Sequence, residues 1–342
     1  MKYTRREVLA GLGVAGVGAA LSSVALDGLA SSPSHSLQEK SGSCPFRLAV
    51  INDEITQDFE KACQIASGEF GLGWVELRSM WDKNVTALND KELADAKKIL
   101  VEHKLRVADI ASPLFKTDWP GAPRSSQSES RDQFHADFDA TAQDKLLEHC
   151  IELAKTFETD RIRCFDFWRI EDPRPFRDAI NEKLSAAART CAKHNLVLLL
   201  ENEMACNTGS GKEAIATMKA IREPNFMLNW DPGNSATFAD DVAYPDDYNQ
   251  LPKNRIGHCH CKDTVRKPDG KFEWAPVGGG VVDWVGQFKA FQRDGYRYAV
   301  SLETHWHGGK PEPGSSMSIP EASSRDSMKG LKDALAKAGA RC

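Results

Sequence analysis

The chain has 342 residues, 41% of them hydrophobic and 27% charged, with a formal net charge of −5. Those proportions suit a soluble globular protein long enough to bury one large core. An acidic balance without a basic stripe excludes nucleic acid as the expected partner, because phosphate binding needs a concentrated positive surface.

The first thirty residues read as an export signal. Thr4-Arg5-Arg6-Glu7-Val8-Leu9 precedes a Gly- and Ala-rich apolar run, and Gly28-Leu29-Ala30 offers small residues at a cleavage site. The paired arginines resemble the twin-arginine export signal. A periplasmic or otherwise exported protein is expected, its precursor engaging the twin-arginine export machinery. A retained membrane anchor is the alternative, and the glycine content of the run weighs against it. Residues 31–45 are rich in Ser, with Pro and Gly, and are expected to form a flexible linker. That leaves 46–342 for the folded domain. Nine cysteines, an odd number without a C-x-x-C pair, argue against a disulfide framework. Cys63, Cys150 and Cys191 sit in apolar patterns and are expected to be buried, reduced thiols.

From there, short apolar runs alternate with longer amphipathic ones. Strands are predicted at 46–51, 74–77, 105–110, 161–165, 196–200, 226–230, 255–261 and 298–302. Helices are predicted at about 57–69, 90–103, 138–157, 174–194, 212–221, 244–251, 284–293 and 323–338. A polar stretch, 112–133, interrupts the third unit. Eight strand–helix units predict an α/β fold, a (β/α)₈ TIM barrel. No G-x-G-x-x-G stands at a strand-to-helix turn, so dinucleotide binding lacks its main signal. Gly278-Gly279-Gly280 has no strand directly before it and reads as a flexible turn.

In such a barrel the reacting groups stand where strands end. The fifth strand ends in Leu200-Glu201-Asn202-Glu203 and the sixth in Trp230-Asp231-Pro232-Gly233-Asn234. The seventh ends in His258-Cys259-His260-Cys261-Lys262-Asp263 and the eighth in Leu302-Glu303-Thr304-His305. Four consecutive strands thus deliver Glu201, Asp231, His260 and Glu303 to one rim. Crowded buried carboxylates resist ionisation unless a cation sits among them. One divalent ion answers that need. Three carboxylates and one imidazole suit Mn²⁺ best, with Mg²⁺, Co²⁺ and Zn²⁺ as alternatives. Taken singly, an acidic residue at a strand end is more often a cap, and Asp231 before Pro232-Gly233 also opens a turn.

Trp74-Val75-Glu76-Leu77, Leu200-Glu201-Asn202, Asp231-Pro232-Gly233, His258-x-His260-x-Lys262-Asp263, Pro276-Val277-Gly278-Gly279-Gly280 and Leu302-Glu303 together resemble the xylose-isomerase-like barrel superfamily of sugar phosphate isomerases and epimerases. The resemblance implies that Glu201, Asp231, His260 and Glu303 bind the metal, and that Glu201 and Glu303 act as acid and base. It also implies a substrate-contacting arginine at Arg266, six residues after His260. Asn234 departs from the pattern, standing where the ketose 3-epimerases often carry histidine. Lys116, Asp166, Trp168, Glu203, Arg266 and His305 are expected to contact a small carbohydrate. The leading expectation is a metal-dependent sugar or keto-sugar isomerase or epimerase that moves a proton through an enediolate. A lyase or deglycosylating enzyme on a 3-keto-sugar, and a non-catalytic sugar-binding barrel, are the alternatives. Homo-oligomerisation is left open.

Overall fold

The computed structural model describes residues 44–126, 128, 138–311 and 313–342. The predicted signal peptide and residues 31–43 of the predicted linker lie outside the described residues. Eight barrel strands follow in chain order: β1 (Arg47–Val50), β2 (Trp74–Leu77), β3 (Arg106–Leu114), β4 (Arg161–Cys164), β5 (Val197–Glu201), β6 (Phe226–Trp230), β7 (Ile256–Cys261) and β8 (Ala299–Leu302). Each pairs in parallel with its neighbour in the spatial order β1-β8-β7-β6-β5-β4-β3-β2. A single parallel bridge between Ile51 and Glu76 links β1 to β2 and brings the sheet round to a nearly closed barrel.

Successive strand residues face opposite sides of a sheet. The outward set, such as Leu198, Leu200, Leu228, Trp230, Cys259, Val300 and Leu302, joins the main apolar core under the helices. The other set carries the polar groups, including Glu76, Arg163, Glu201, Asn229, His258, His260 and Ser301, all buried. Keeping both histidines on that face takes a bulge. Leu228 pairs with Ile256 but Asn229 pairs with His258, so Gly257 is the extra residue. A Cβ at Gly257 would stand 2.9 Å from Leu199 Cδ2 and 3.0 Å from Met227 Cβ.

Helices begin where side chains can satisfy their first amides. Asn89 and Glu92 form a reciprocal capping box for the helix Asp90–Glu102, and Ser210 with Glu213 does the same for Gly211–Ala220. Several boundaries differ from the periodicity. The helix expected from 138 begins at Gln143, after a turn in which Asp139 accepts bonds from Thr141 and Ala142. The helix expected at 57–69 is α-helical only over Phe59–Gln64 and continues as a π-turn over Ile65–Glu69. Two antiparallel hairpins were not anticipated: Ser79–Met80 with Lys83–Asn84, and Asp263–Arg266 with Phe272–Ala275. Among the described residues no helix is long and apolar enough to cross a membrane.

The cysteine reading needs one correction. Cys44 and Cys342 form a disulfide across a sequence separation of 298 residues, joining the two ends of the barrel chain. Cys44 was assigned to a flexible linker by composition, which carries no information about a partner at the far terminus. The other seven cysteines are reduced and buried.

Candidate metal centre

The four strand ends bring Glu201, Asp231, His260 and Glu303 together. All four are buried, and one ligating atom from each lies within 4.8 Å of the others. His260 is the hub. Its Nδ1 is 3.1 Å from Glu201 Oε1, 3.2 Å from Glu303 Oε2 and 3.8 Å from Asp231 Oδ2. Its Nε2 is 3.1 Å from Glu76 Oε2, and Glu76 Oε1 is 2.8 Å from His258 Nε2.

This arrangement fits a divalent cation. A carboxylate at Nε2 fixes a proton there and turns the Nδ1 lone pair toward three carboxylates. That contact is repulsive unless a proton or a metal ion stands between them. Oxygen-rich donors with one imidazole suit a hard to borderline dication. Asp231 contributes in two ways. Oδ1 accepts from the Asn234 amide and caps the short turn Pro232–Ser235, while Oδ2 faces the cluster. Asn202 holds the Asp231 peptide from both sides, accepting from its N–H and donating to its carbonyl. Asn234 Nδ2 donates to Asp231 Oδ2 at 3.1 Å and approaches Glu201 Oε1 at 3.5 Å.

Buried cations balance the carboxylates. Arg163 Nη1 is 3.1 Å from Glu201 Oε2. Arg78 Nη1 is 3.3 Å from Glu303 Oε1, and the same guanidinium binds Asp53 and Glu54. Lys262 Nζ is 2.6 Å from Glu303 Oε2 and 2.9 Å from Asp231 Oδ2. Burial alone would raise each carboxyl pKa. His260 and Arg163 outweigh it at Glu201, which falls to about 2. Lys262, His305 and His260 outweigh it at Glu303, held well below the usual carboxylate range. At Asp231 burial and the neighbouring glutamates win over Lys262, and its pKa rises to about 6. Burial would lower the pKa of His260, but Glu76, Glu201 and Glu303 lift it well above the ordinary imidazole value.

The expected substrate contacts are dispersed. Lys116 Nζ lies 3.3 Å from Glu203 Oε2 and over the Phe165 and Trp168 rings, at 4.5 and 5.4 Å. His305 Nδ1 is 3.7 Å from Glu303 Oε1 and 3.3 Å from Glu54 Oε1, so this residue borders the cluster. Asp166 is fully buried and engaged by protein groups. Its oxygens take the Thr208 amide, the Thr208 hydroxyl and Arg177 Nη1, which ties two loops together. Arg266 is likewise engaged elsewhere. Its Nη2 donates to the Ala236 and Phe238 carbonyls, and its side chain lines a cavity with Asp241, Tyr244 and Val281.

Sequence reasoning gave no role to Glu76, Arg78, Arg163 or Lys262. One signal was available: Glu76-x-Arg78 and Arg161-x-Arg163 place charges at period two in or directly after apolar strands, which points them into the barrel. Gly278-Gly279-Gly280, expected to be a flexible turn, is instead a grip on Asp263, whose carboxylate accepts from the amides of Gly278, Gly280 and Val282.

Comparison with known proteins agrees with this architecture. An Escherichia coli K12 protein provisionally named L-ribulose-5-phosphate 3-epimerase is 26% identical over 174 residues, 49% of this chain and 59% of that protein. The chain therefore matches a little over half the length of that relative. A xylose isomerase-like TIM barrel protein from Mycobacterium smegmatis, solved with magnesium, superposes with a TM-score of 0.58 at 15% identity, covering 86% of this chain and 98% of that one. D-psicose 3-epimerase from Clostridium cellulolyticum H10, solved with D-tagatose, gives 0.61 at 12% identity, covering 86% and 99%. Both structures establish likeness of fold. The family model described as xylose isomerase-like TIM barrel matches residues 65–334, most of the barrel, and the chain belongs to that family.

Proposed function

We propose that this protein is a divalent-metal-dependent isomerase or epimerase of a sugar or keto-sugar, working by proton transfer. One observation carries the reading. Glu201 and Glu303, three strands apart, converge on the same imidazole nitrogen at 3.1 and 3.2 Å. Each is braced by its own arginine, Arg163 or Arg78. The named activity of the E. coli relative and the keto-sugar in the Clostridium structure support a substrate of this class.

Glu201, Asp231, His260 and Glu303 would hold the metal, Mn²⁺ by preference. When bound, the ion supplies Lewis acidity toward a carbonyl oxygen and its neighbouring hydroxyl. One glutamate takes the proton from the hydroxyl-bearing carbon next to the carbonyl, and the other returns it. Arg163 and Arg78 hold the two carboxylates in direction. Asn202 and Asn234 hold Asp231 in place. Export is part of the proposal, supported by the Arg5-Arg6 signal and by a disulfide, which persists in oxidising compartments.

The test is Glu303→Gln, which removes a base while keeping the shape. With metal content measured on the same sample, turnover of a responsive keto-sugar should fall roughly 10²-fold or more. In heavy water the wild-type product should carry deuterium at the inverted carbon. Unlabelled product from active, metal-loaded protein would remove proton transfer from the mechanism.

A further inference from the structure

Lys262 is 1% exposed and stands two residues past His260, on the same side of the chain. Its Nζ lies 2.6 Å from Glu303 Oε2 and 2.9 Å from Asp231 Oδ2. Those are the same two oxygens that approach His260 Nδ1. Two of the four candidate ligands therefore already hold a cation, and hold it through the atoms a metal would take.

The surroundings are shaped to admit that side chain. A Cβ at Gly233 would lie 2.6 Å from Lys262 Cγ and 2.9 Å from the Lys262 carbonyl oxygen, so the lysine stem crosses where only glycine leaves room. Asp231-Pro232-Gly233 thus supplies both a carboxylate for the ammonium and the space for its stem. On the other side, the Trp274 ring centroid is 5.2 Å from Nζ, within cation–π range. Trp274 belongs to the Asp263–Arg266/Phe272–Ala275 hairpin, and its ring also meets His305.

We propose that Lys262 is a resident counter-cation that competes with the divalent ion for Asp231 and Glu303, and so sets the affinity of the centre. The proposal rests on the metal-centre reading above. A dication bound through Asp231 Oδ2 and Glu303 Oε2 would stand within contact distance of the ammonium, and like charges repel strongly where water is excluded. For a dication to be held there, Nζ would have to withdraw from those two oxygens. Without the ion, the same ammonium keeps the carboxylates from repelling one another. This makes Lys262 a positioning residue for the site, which holds the metal-free form of the centre together at a cost in metal affinity.

The experiment compares wild type with Lys262→Met, which keeps an unbranched stem and removes the charge. Mn²⁺ binding is measured at fixed pH by competition with a fluorescent chelator. Lys262→Met should bind Mn²⁺ roughly 10- to 100-fold more tightly, and its metal-free form should melt at a lower temperature than metal-free wild type. A second measurement needs no variant. Reductive methylation of wild type with formaldehyde, read by peptide mass spectrometry, should label Lys262 faster with saturating Mn²⁺ than without it. Unchanged or weaker Mn²⁺ binding by folded Lys262→Met overturns the proposal, as does Lys262 labelling that Mn²⁺ does not accelerate. Asp231→Asn separates the two readings. If it binds Mn²⁺ as wild type does, or if neither wild type nor Lys262→Met binds the ion, the metal centre itself is wrong.

Discussion

At the scale of single residues, the centre depends on side chains one step removed from the cluster. Glu76 is the clearest. It is fully buried, and it bonds His260 Nε2 through one oxygen and His258 Nε2 through the other. Orienting the imidazole in this way is what a carboxylate behind a metal-binding histidine does. Glu76→Gln should therefore weaken Mn²⁺ binding by roughly 10- to 100-fold, the usual loss when such a partner is removed. Calorimetric titration measures it, and unchanged affinity would reduce Glu76 to a filler of the barrel interior. The four cluster residues were legible in the sequence because each stands at or beside the C-terminal end of a strand, where a carboxylate or imidazole breaks an apolar run. Glu76, Arg78 and Arg163 were harder to read. Each sits in a strand or directly after one, and its function depends on a partner far away in sequence, such as Glu303, which lies 225 residues from Arg78.

At the scale of elements, strand positions were legible because a buried parallel strand is a short, continuous apolar run. Phe226–Trp230 and Trp74–Leu77 match their predicted bounds for that reason. The hairpin after β7 was not legible. Asp263-Thr264-Val265-Arg266 is too short and polar to stand out, and its partner Phe272–Ala275 follows a Pro-Asp-Gly turn that reads equally as a loop. What fixes the hairpin is Asp263, which binds the glycine run and follows directly after Lys262. This makes the glycines a test of the element. A Cβ at Gly280 would fall 2.1 Å from Asp263 Oδ1 and 2.4 Å from the Thr264 carbonyl, so Gly280→Ala must shift backbone. It should cost on the order of 1–3 kcal/mol in denaturant unfolding, the range for overpacking. Gly73→Ala is the matched control: nothing lies within 4 Å of the added carbon, and stability should stay within about 0.5 kcal/mol of wild type. Equal stability of the two variants would show that the glycine run does not brace the site.

At the scale of the whole molecule, a backbone bridge closes the barrel and a disulfide joins its two chain ends. The Ile51–Glu76 bridge joins β1 to β2 within the sheet. The Cys44–Cys342 disulfide ties the segment before β1 to the end of the chain. Closing so long a loop restricts the unfolded chain strongly, and chain-entropy reasoning gives on the order of 5 kcal/mol, with real bridges delivering 2–4. Paired Cys44→Ser and Cys342→Ser substitutions should therefore lower the unfolding free energy by about 2–4 kcal/mol, while Mn²⁺ affinity stays unchanged because neither cysteine approaches the cluster. The same bond reports on location. Thiols stay reduced in a bacterial cytoplasm and pair in the periplasm. If Arg5 and Arg6 direct export, replacing both by Lys should leave full-length protein in the cytoplasm with Cys44 and Cys342 open to a maleimide of high mass, added under denaturing conditions and read as a gel shift. The seven buried cysteines react in both samples, so the expected difference is two additional labels on the retained protein. Equal labelling of the wild-type and Lys-Lys proteins, together with unchanged fractionation, would mean that the arginine pair does not direct export and that the disulfide forms without it.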